Sequence, residues 1–271
     1  MFQLPQDVVY LDGNSLGPLP KAALARVNSM MRDEWGKMLI SGWNSAGWMN
    51  QPAVVGDRIG KLIGAPNGTV VVGDTLSIKV YQALASALEI NAGRKIILSD
   101  TGNFPSDLYM TEGLIESLDK GHRLKLCEPE AVAEHLTEDV AVLLLTEVDY
   151  KTGRLHDMSN LTRKAHEKGI LTIWDLAHSA GALPVDVSAA DADFAVGCTY
   201  KYLNSGPGGP AFMYLAPGLA NQARPALAGW LGHEQPFAFD PEYRPAAGVQ
   251  RMRIGTPPVI QLAALEASLD I

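Results

Sequence analysis

Short apolar, β-branched runs at Val70 to Val72, Lys95 to Leu98, Ala141 to Thr146, Leu171 to Trp174 and Phe194 to Val196 alternate along the chain with segments of helical spacing. The segments Ile78 to Leu88, Pro105 to Leu118, Pro129 to Leu136 and Ser159 to Lys168 have the length of crossover helices. This order predicts an α/β fold, a mostly parallel sheet covered by helices on both faces. A loop punctuated by Pro and Gly, Asn204 to Gly209, precedes a further strand-like run, Ala211 to Leu215. The chain divides into an N-terminal segment (1–40), a large domain (41–258) and the start of a further helix (259–271), which stops without a capping residue and reads as interrupted.

Composition narrows the function. At 271 residues, 47% hydrophobic and 19% charged, the chain has the make-up of an ordinary globular protein, and a net charge of -8 provides no basic field for nucleic acid. No apolar run approaches the ~20 residues of a membrane span, and Met1 to Asp7 lacks the pattern of a signal peptide. Cys127 and Cys198 form neither a CxxC pair nor a disulfide framework, and no HxxxH motif is present. A cytoplasmic protein without a metal site, acting on a small molecule, is expected.

In parallel sheets ligands gather beyond the carboxyl ends of the strands. The residues there include Thr75-Leu76-Ser77, Phe104-Pro105-Ser106-Asp107, Thr146, Asp175-Leu176-Ala177-His178 and Tyr200-Lys201-Tyr202. A lone lysine at a strand end is ordinarily a surface group. Asp175 changes that reading, because a carboxylate leaving the apolar run Ile170 to Trp174 needs a cationic partner or several hydrogen bonds. A protonated pyridine nitrogen is such a partner, and Lys201 is then the imine-forming amine of a pyridoxal 5'-phosphate site. Thr75, Leu76 and Ser77 offer hydroxyls and backbone N–H groups to a phosphate, although Ser77 equally suits a helix N-cap. Phe104 suits both ring stacking and core, and His178 suits both a hydrogen-bonding role and a satisfied core position.

The segments Tyr10-Leu11-Asp12-Gly13-Asn14-Ser15-Leu16-Gly17, Gly42-Trp43-Asn44, Asn103 to Tyr109, Asp175 to His178, Tyr200 to Gly209 and Gly255-Thr256-Pro257-Pro258 resemble those of the kynureninases, fold type I pyridoxal phosphate enzymes of the aminotransferase class V group. The resemblance spans nearly the whole chain. It implies that Leu76 and Ser77 bind phosphate, that Phe104, Pro105, Ser106 and Asp107 lie at the ring, and that Thr146 approaches the cofactor's phenolic oxygen. It implies further that Asp175 and His178 line the ring, that Lys201 is the Schiff-base lysine, and that Tyr200 contacts phosphate and serves as a proton donor. Trp230 and Thr256 complete the cofactor site. The implied reaction is hydrolysis of L-kynurenine to anthranilate and L-alanine in tryptophan catabolism, at a homodimer interface. Trp43, Gly255 and Thr256 are the candidates for the aryl pocket, favouring kynurenine over its 3-hydroxylated relative, while Trp43 equally suits interface packing. A cysteine desulfurase-like lyase and an inactive cofactor-binding fragment are the alternatives. The resemblance also implies a smaller domain beyond Ile271 with an arginine for the substrate α-carboxylate, so low activity is expected of residues 1–271 alone.

Overall fold

In the computed structural model, which describes residues 1–271, two short strands near the start, β1 (Phe2–Gln3) and β2 (Leu19–Pro20), pair antiparallel. Seven others form one sheet: β3 (Val70–Val72), β4 (Ile96–Asp100), β5 (Arg123–Cys127), β6 (Val140–Thr146), β7 (Leu171–Asp175), β8 (Phe194–Cys198) and β9 (Ala211–Leu215). Their spatial order is β3-β9-β8-β7-β6-β4-β5. Every pairing is parallel except the two made by β9, which runs against both of its neighbours. Six carboxyl ends therefore share one edge of the sheet.

Residues of alternating parity along these strands feed two separate cores, as a sheet buried on both faces requires. Val70 and Val72 join Trp174, Leu143 and Leu145 on one face, whereas Val71 joins Ile173, Leu144 and Val196 on the other. The helices, in chain order, are α1 (Lys21–Ser29), α2 (Gly36–Met38), α3 (Gly42–Ser45), α4 (Gln51–Leu62), α5 (Leu76–Ile90), α6 (Pro105–Leu118), α7 (Met158–His166) and α8 (Val259–Ser268). The first core is covered by α4, α7 and α8 through Val55, Ile59, Leu161 and Leu262, and the second by α5 and α6 through Val80, Leu84 and Leu114. Trp174 is fully buried, and its indole N–H donates to Thr162 Oγ1 at 3.0 Å, so the ring's one polar atom is satisfied inside the core.

The predicted strands are present, with two differences in the connections. Arg123–Cys127 is a strand that the apolar pattern did not reveal, because β5 is an edge strand whose Arg123 and Leu126 stay exposed. The segment expected as a crossover helix at Pro129 to Leu136 is a 3-10 helix, Pro129–His135. Only Val132 of it is buried, so there is no apolar stripe to reward the wider α-helical turn. The final segment is helical to Ser268 and packs on α1 and α4, where Arg26 pairs with Glu266 and Arg58 with Asp270.

One ion pair clamps the back of the sheet. Asp193 Oδ2, at the start of β8, accepts from the Thr172 backbone N–H (2.8 Å), the Thr172 hydroxyl (3.0 Å) and His166 Nε2 (2.8 Å). The hydrogen bond to Asp193 raises the His166 pKa above its ordinary value. A base whose folded pKa is raised stabilises the fold fully below its unfolded value, and that contribution is lost as pH rises through the folded pKa. Urea unfolding of the parent and of His166→Asn should therefore differ more at pH 6 than at pH 9, and an equal difference at both would exclude the charged pair.

Candidate active site

The shared carboxyl edge of the sheet gathers most of the predicted residues. Thr146 ends β6 and faces Asp175, which ends β7, in register. The Lys201 turn follows β8 directly, closed by Asn204 N–H to Lys201 O (3.0 Å) and Ser205 N–H to Thr199 O (3.1 Å). Asn204 adopts φ 55°, a left-handed conformation that asparagine tolerates better than most residues. The N-terminal motif packs on this turn: Gly17 N–H donates to Tyr200 O at 2.8 Å, and a side chain at Gly17 would collide with the Lys201 carbonyl. That close approach explains why the position takes glycine.

Lys201 is buried, and its Nζ donates to His178 Nε2 at 2.5 Å. On the other side of the imidazole, Nδ1 lies 3.2 Å from Val148 O, and only a protonated Nδ1 can bond to a carbonyl. The ring is therefore the Nδ1–H tautomer, with its Nε2 lone pair turned to the amine. Burial, and then the nearby Lys201 charge, push the His178 pKa down to about 4. The Lys201 ammonium also sits 5.6 Å from the Phe104 ring centre and 5.9 Å from that of Tyr200. Phe104, Tyr150 and His178 make an aromatic cluster, with Phe104 edge-on to Tyr150 at 5.1 Å.

Asp175 is almost fully buried and accepts from Ala177 N–H at 2.9 Å. Desolvation raises its carboxyl to about 6. Asp107, also buried, is driven well above the usual carboxylate range by desolvation and by the neighbouring Asp175, and its Oδ2 has no hydrogen-bond partner. Two buried carboxyls with one unsatisfied oxygen are a poor arrangement alone and a good one around a cation or an N–H donor. Ser77 and Ser106 bring their hydroxyl oxygens to 3.2 Å, which joins the N-termini of α5 and α6. The free N–H groups of Leu76, Ser77 and Ser106 thus converge with two hydroxyls, and Pro105 fills the first turn of α6 where no donor is lost. Donors for an anion at the helix N-termini, buried carboxyls for a protonated heterocycle and a buried lysine are together what pyridoxal phosphate requires.

Trp43, Trp230 and Thr256 come from outside the sheet: Trp43 from α3, Trp230 from a 3-10 turn and Thr256 from the loop before α8. They line a second cleft with Ile40, Met49 and Phe237, while Gly255 and Thr256 also border a small cavity with Gly73 and Asp74 at the end of β3. Trp230 meets Phe237 edge-on at 5.9 Å, and Trp43 meets the buried Trp48 at 5.5 Å. Two site residues carried no assigned role in the sequence: Asn103, which stands among the strand-end residues and in the family segment, and Tyr150. Asn103 accepts from Thr146 Oγ1 at 2.5 Å and donates to Ser99 Oγ at 2.9 Å, and Tyr150 supplies the third ring of the cluster. A polar residue immediately before Phe104 was the available signal for Asn103. For Tyr150 there was none, since its place depends on a turn.

A histidine with a lowered folded pKa takes up its proton more readily when unfolded, so it subtracts stability as pH falls from about 6.5 toward about 4. Observed by NMR, the His178 ring should stay neutral down to about pH 4 in the parent, and Lys201→Ala should raise its midpoint. A midpoint near 6.5 in both would contradict the buried, lysine-facing geometry.

The aminotransferase class-V family model matches residues 9–271. Over its full length the chain is 50% identical to kynureninase from Pseudomonas fluorescens, 47% to that from Deinococcus radiodurans and 46% to that from Burkholderia pseudomallei, of which it spans 66%, 67% and 66%. Among solved structures, a cysteine desulfurase from Escherichia coli superposes with a TM-score of 0.82 at 20% identity, covering 99% of this chain and 69% of that one. A cysteine desulfurase from Thermococcus onnurineus gives 0.79 at 21%, covering 97% and 67%. At such low identities these two share the fold alone. The chain belongs to the aminotransferase class-V family and, within it, to the kynureninases.

Proposed function

We propose that the chain binds pyridoxal 5'-phosphate through Lys201 and that the protein it belongs to hydrolyses L-kynurenine to anthranilate and L-alanine. The observation that carries this reading is the buried Lys201 Nζ held 2.5 Å from a neutral imidazole, beside the Asp175 carboxyl. Bound there, the cofactor supplies an electron sink for charge developing at the substrate Cα and Cβ. Asp175, buried and with its carboxyl raised to about 6, would hold the proton on the ring nitrogen, since a desolvated carboxyl gains from a cationic partner. Leu76, Ser77 and Ser106 bind the phosphate at the two helix N-termini. Thr146, whose hydroxyl donates to Asn103 here, would turn it to the cofactor's phenolic oxygen.

Lys201 moves the proton at the substrate Cα, and His178 Nε2 keeps the amine directed without competing for the proton, because its own pKa lies near 4. Tyr200 is half-buried, and desolvation lifts its hydroxyl to about 12. It stays protonated at neutral pH, as a donor to Cβ must. Burial of Lys201, Asp175 and His178 keeps bulk water from the amine while one water attacks the substrate carbonyl.

The second cleft supports a homodimer in which Trp43, Trp230 and Thr256 of one copy face the Lys201 group of the other, with Trp43, Gly255 and Thr256 forming the aryl wall. Ile40 and Phe237, both largely exposed, line that cleft, and a second copy would cover them. No helix is long and apolar enough to cross a membrane; the cytoplasm, where the substrate is a free small molecule, is the proposed location. A desulfurase reading has less support, since Cys127 and Cys198 are both buried with thiols pushed up by desolvation, away from the reactive thiolate such chemistry needs. Anthranilate fluorescence from L-kynurenine should appear with the full-length protein to which the chain belongs, and Tyr200→Phe in that protein should lower kcat by roughly 100-fold or more with little change in KM. Sulfide release from cysteine without anthranilate formation would overturn the proposal.

A further inference from the structure

Between β6 and α7 the chain makes a tight hairpin, Glu147 to His156. Val148 and Leu155 bridge antiparallel, His156 N–H donates to Glu147 O at 2.9 Å, and Asp149 N–H donates to Arg154 O at 2.9 Å. Asp149 Oδ1 caps the tip by accepting from Lys151 N–H (2.7 Å) and Thr152 N–H (2.9 Å). This hairpin carries two groups already met: Val148 O, which fixes the His178 tautomer, and Tyr150, which packs on Phe104 and His178.

The hairpin is tied at its base to the end of β4. Asp100, 2% exposed, accepts from His156 Nε2 at 2.6 Å, and Arg154 reaches both Asp100 Oδ2 (3.6 Å) and Asp149 Oδ2 (3.7 Å). The other oxygen of Asp100 accepts from Gly102 N–H at 2.8 Å, within the turn that leads to Asn103 and Phe104. A Cβ at Gly102 would lie 2.8 Å from Asp149 Oδ2 and 3.1 Å from Arg154 Nη2, so the turn and the hairpin are packed together. One side chain therefore joins the two segments that flank Lys201, one bearing Phe104 and the other bearing Val148 and Tyr150.

We propose that Asp100, with His156 and Arg154, is a positioning residue for the reaction: it locks the hairpin so that Val148 O holds His178 as the Nδ1–H tautomer, leaving Nε2 for Lys201. None of the three is placed against the cofactor or substrate, so the effect passes through His178. The inference rests on the reading that Lys201 and His178 form the reactive centre. Its readout is taken on the chain without added cofactor, so failure of turnover and failure of positioning are separable.

The test uses protein labelled with 15N at histidine, the His178 signals being assigned by His178→Gln. In the parent the ring nitrogens should report a single Nδ1–H tautomer. In Asp100→Asn the ratio of Nδ1–H to Nε2–H forms should fall by about tenfold or more, and amide exchange of 148–153 should quicken by a similar factor, as expected for loss of a charge-assisted hydrogen bond. Unchanged His178 nitrogen shifts would overturn the proposal, whether or not the hairpin exchanges faster, since faster exchange alone marks a merely structural network. If Asp100→Asn does not fold, Arg154→Gln, at the solvent edge of the same network, replaces it: a fall in the same ratio supports the proposal, and unchanged His178 shifts overturn it.

Discussion

The hydrogen bond from Lys201 to His178 is the constraint on which the rest of the site depends. A buried ammonium needs an acceptor, and a buried imidazole can be that acceptor only if its other nitrogen carries the proton. Val148 O enforces this by taking the Nδ1–H, and burial keeps the ring from protonating by lowering its pKa to about 4. A lysine directed in this way is held in one place by an acceptor that leaves its nitrogen free to lose a proton and attack a carbonyl.

Sheet topology makes this arrangement possible. Because only β9 runs against its neighbours, the ends of β4, β6, β7 and β8 deliver Asp100, Thr146, Asp175 and the Lys201 turn to one edge. Helices α5 and α6 begin at that edge and present their N-termini, joined through Ser77 and Ser106. The N-terminus of α5 with Ser77 and Ser106 offers hydrogen-bond donors to an anion, while the buried Asp107 and Asp175 carboxyls ask for a cation or an N–H donor. A ligand carrying both a phosphate and a protonated ring nitrogen meets both.

Much of this was legible in the sequence, and for identifiable reasons. Asp175 ends and Lys201 follows a buried strand, so their polarity stood out against apolar runs, and Ser77 and Ser106 stand in the first turns of helices that follow strands β3 and β4. What escaped was set by tertiary contact. Asn103 works through Thr146, 43 residues away, and Tyr150 sits on a hairpin whose shape depends on Asp100, His156 and Arg154. Strand β5 lay hidden because an edge strand has no buried face pair to imprint on its sequence. Spacing along a chain also cannot show that Trp43, Trp230 and Thr256, far apart in sequence, share one cleft.

The central claim is that Lys201, among all the lysines, is the one that carries the cofactor. Borohydride reduction after addition of pyridoxal phosphate, followed by peptide mass mapping, tests it directly. One reduced adduct, on Lys201, is the predicted result. An adduct on Lys79, the other deeply buried lysine, or label spread over exposed lysines with none on Lys201, would contradict it.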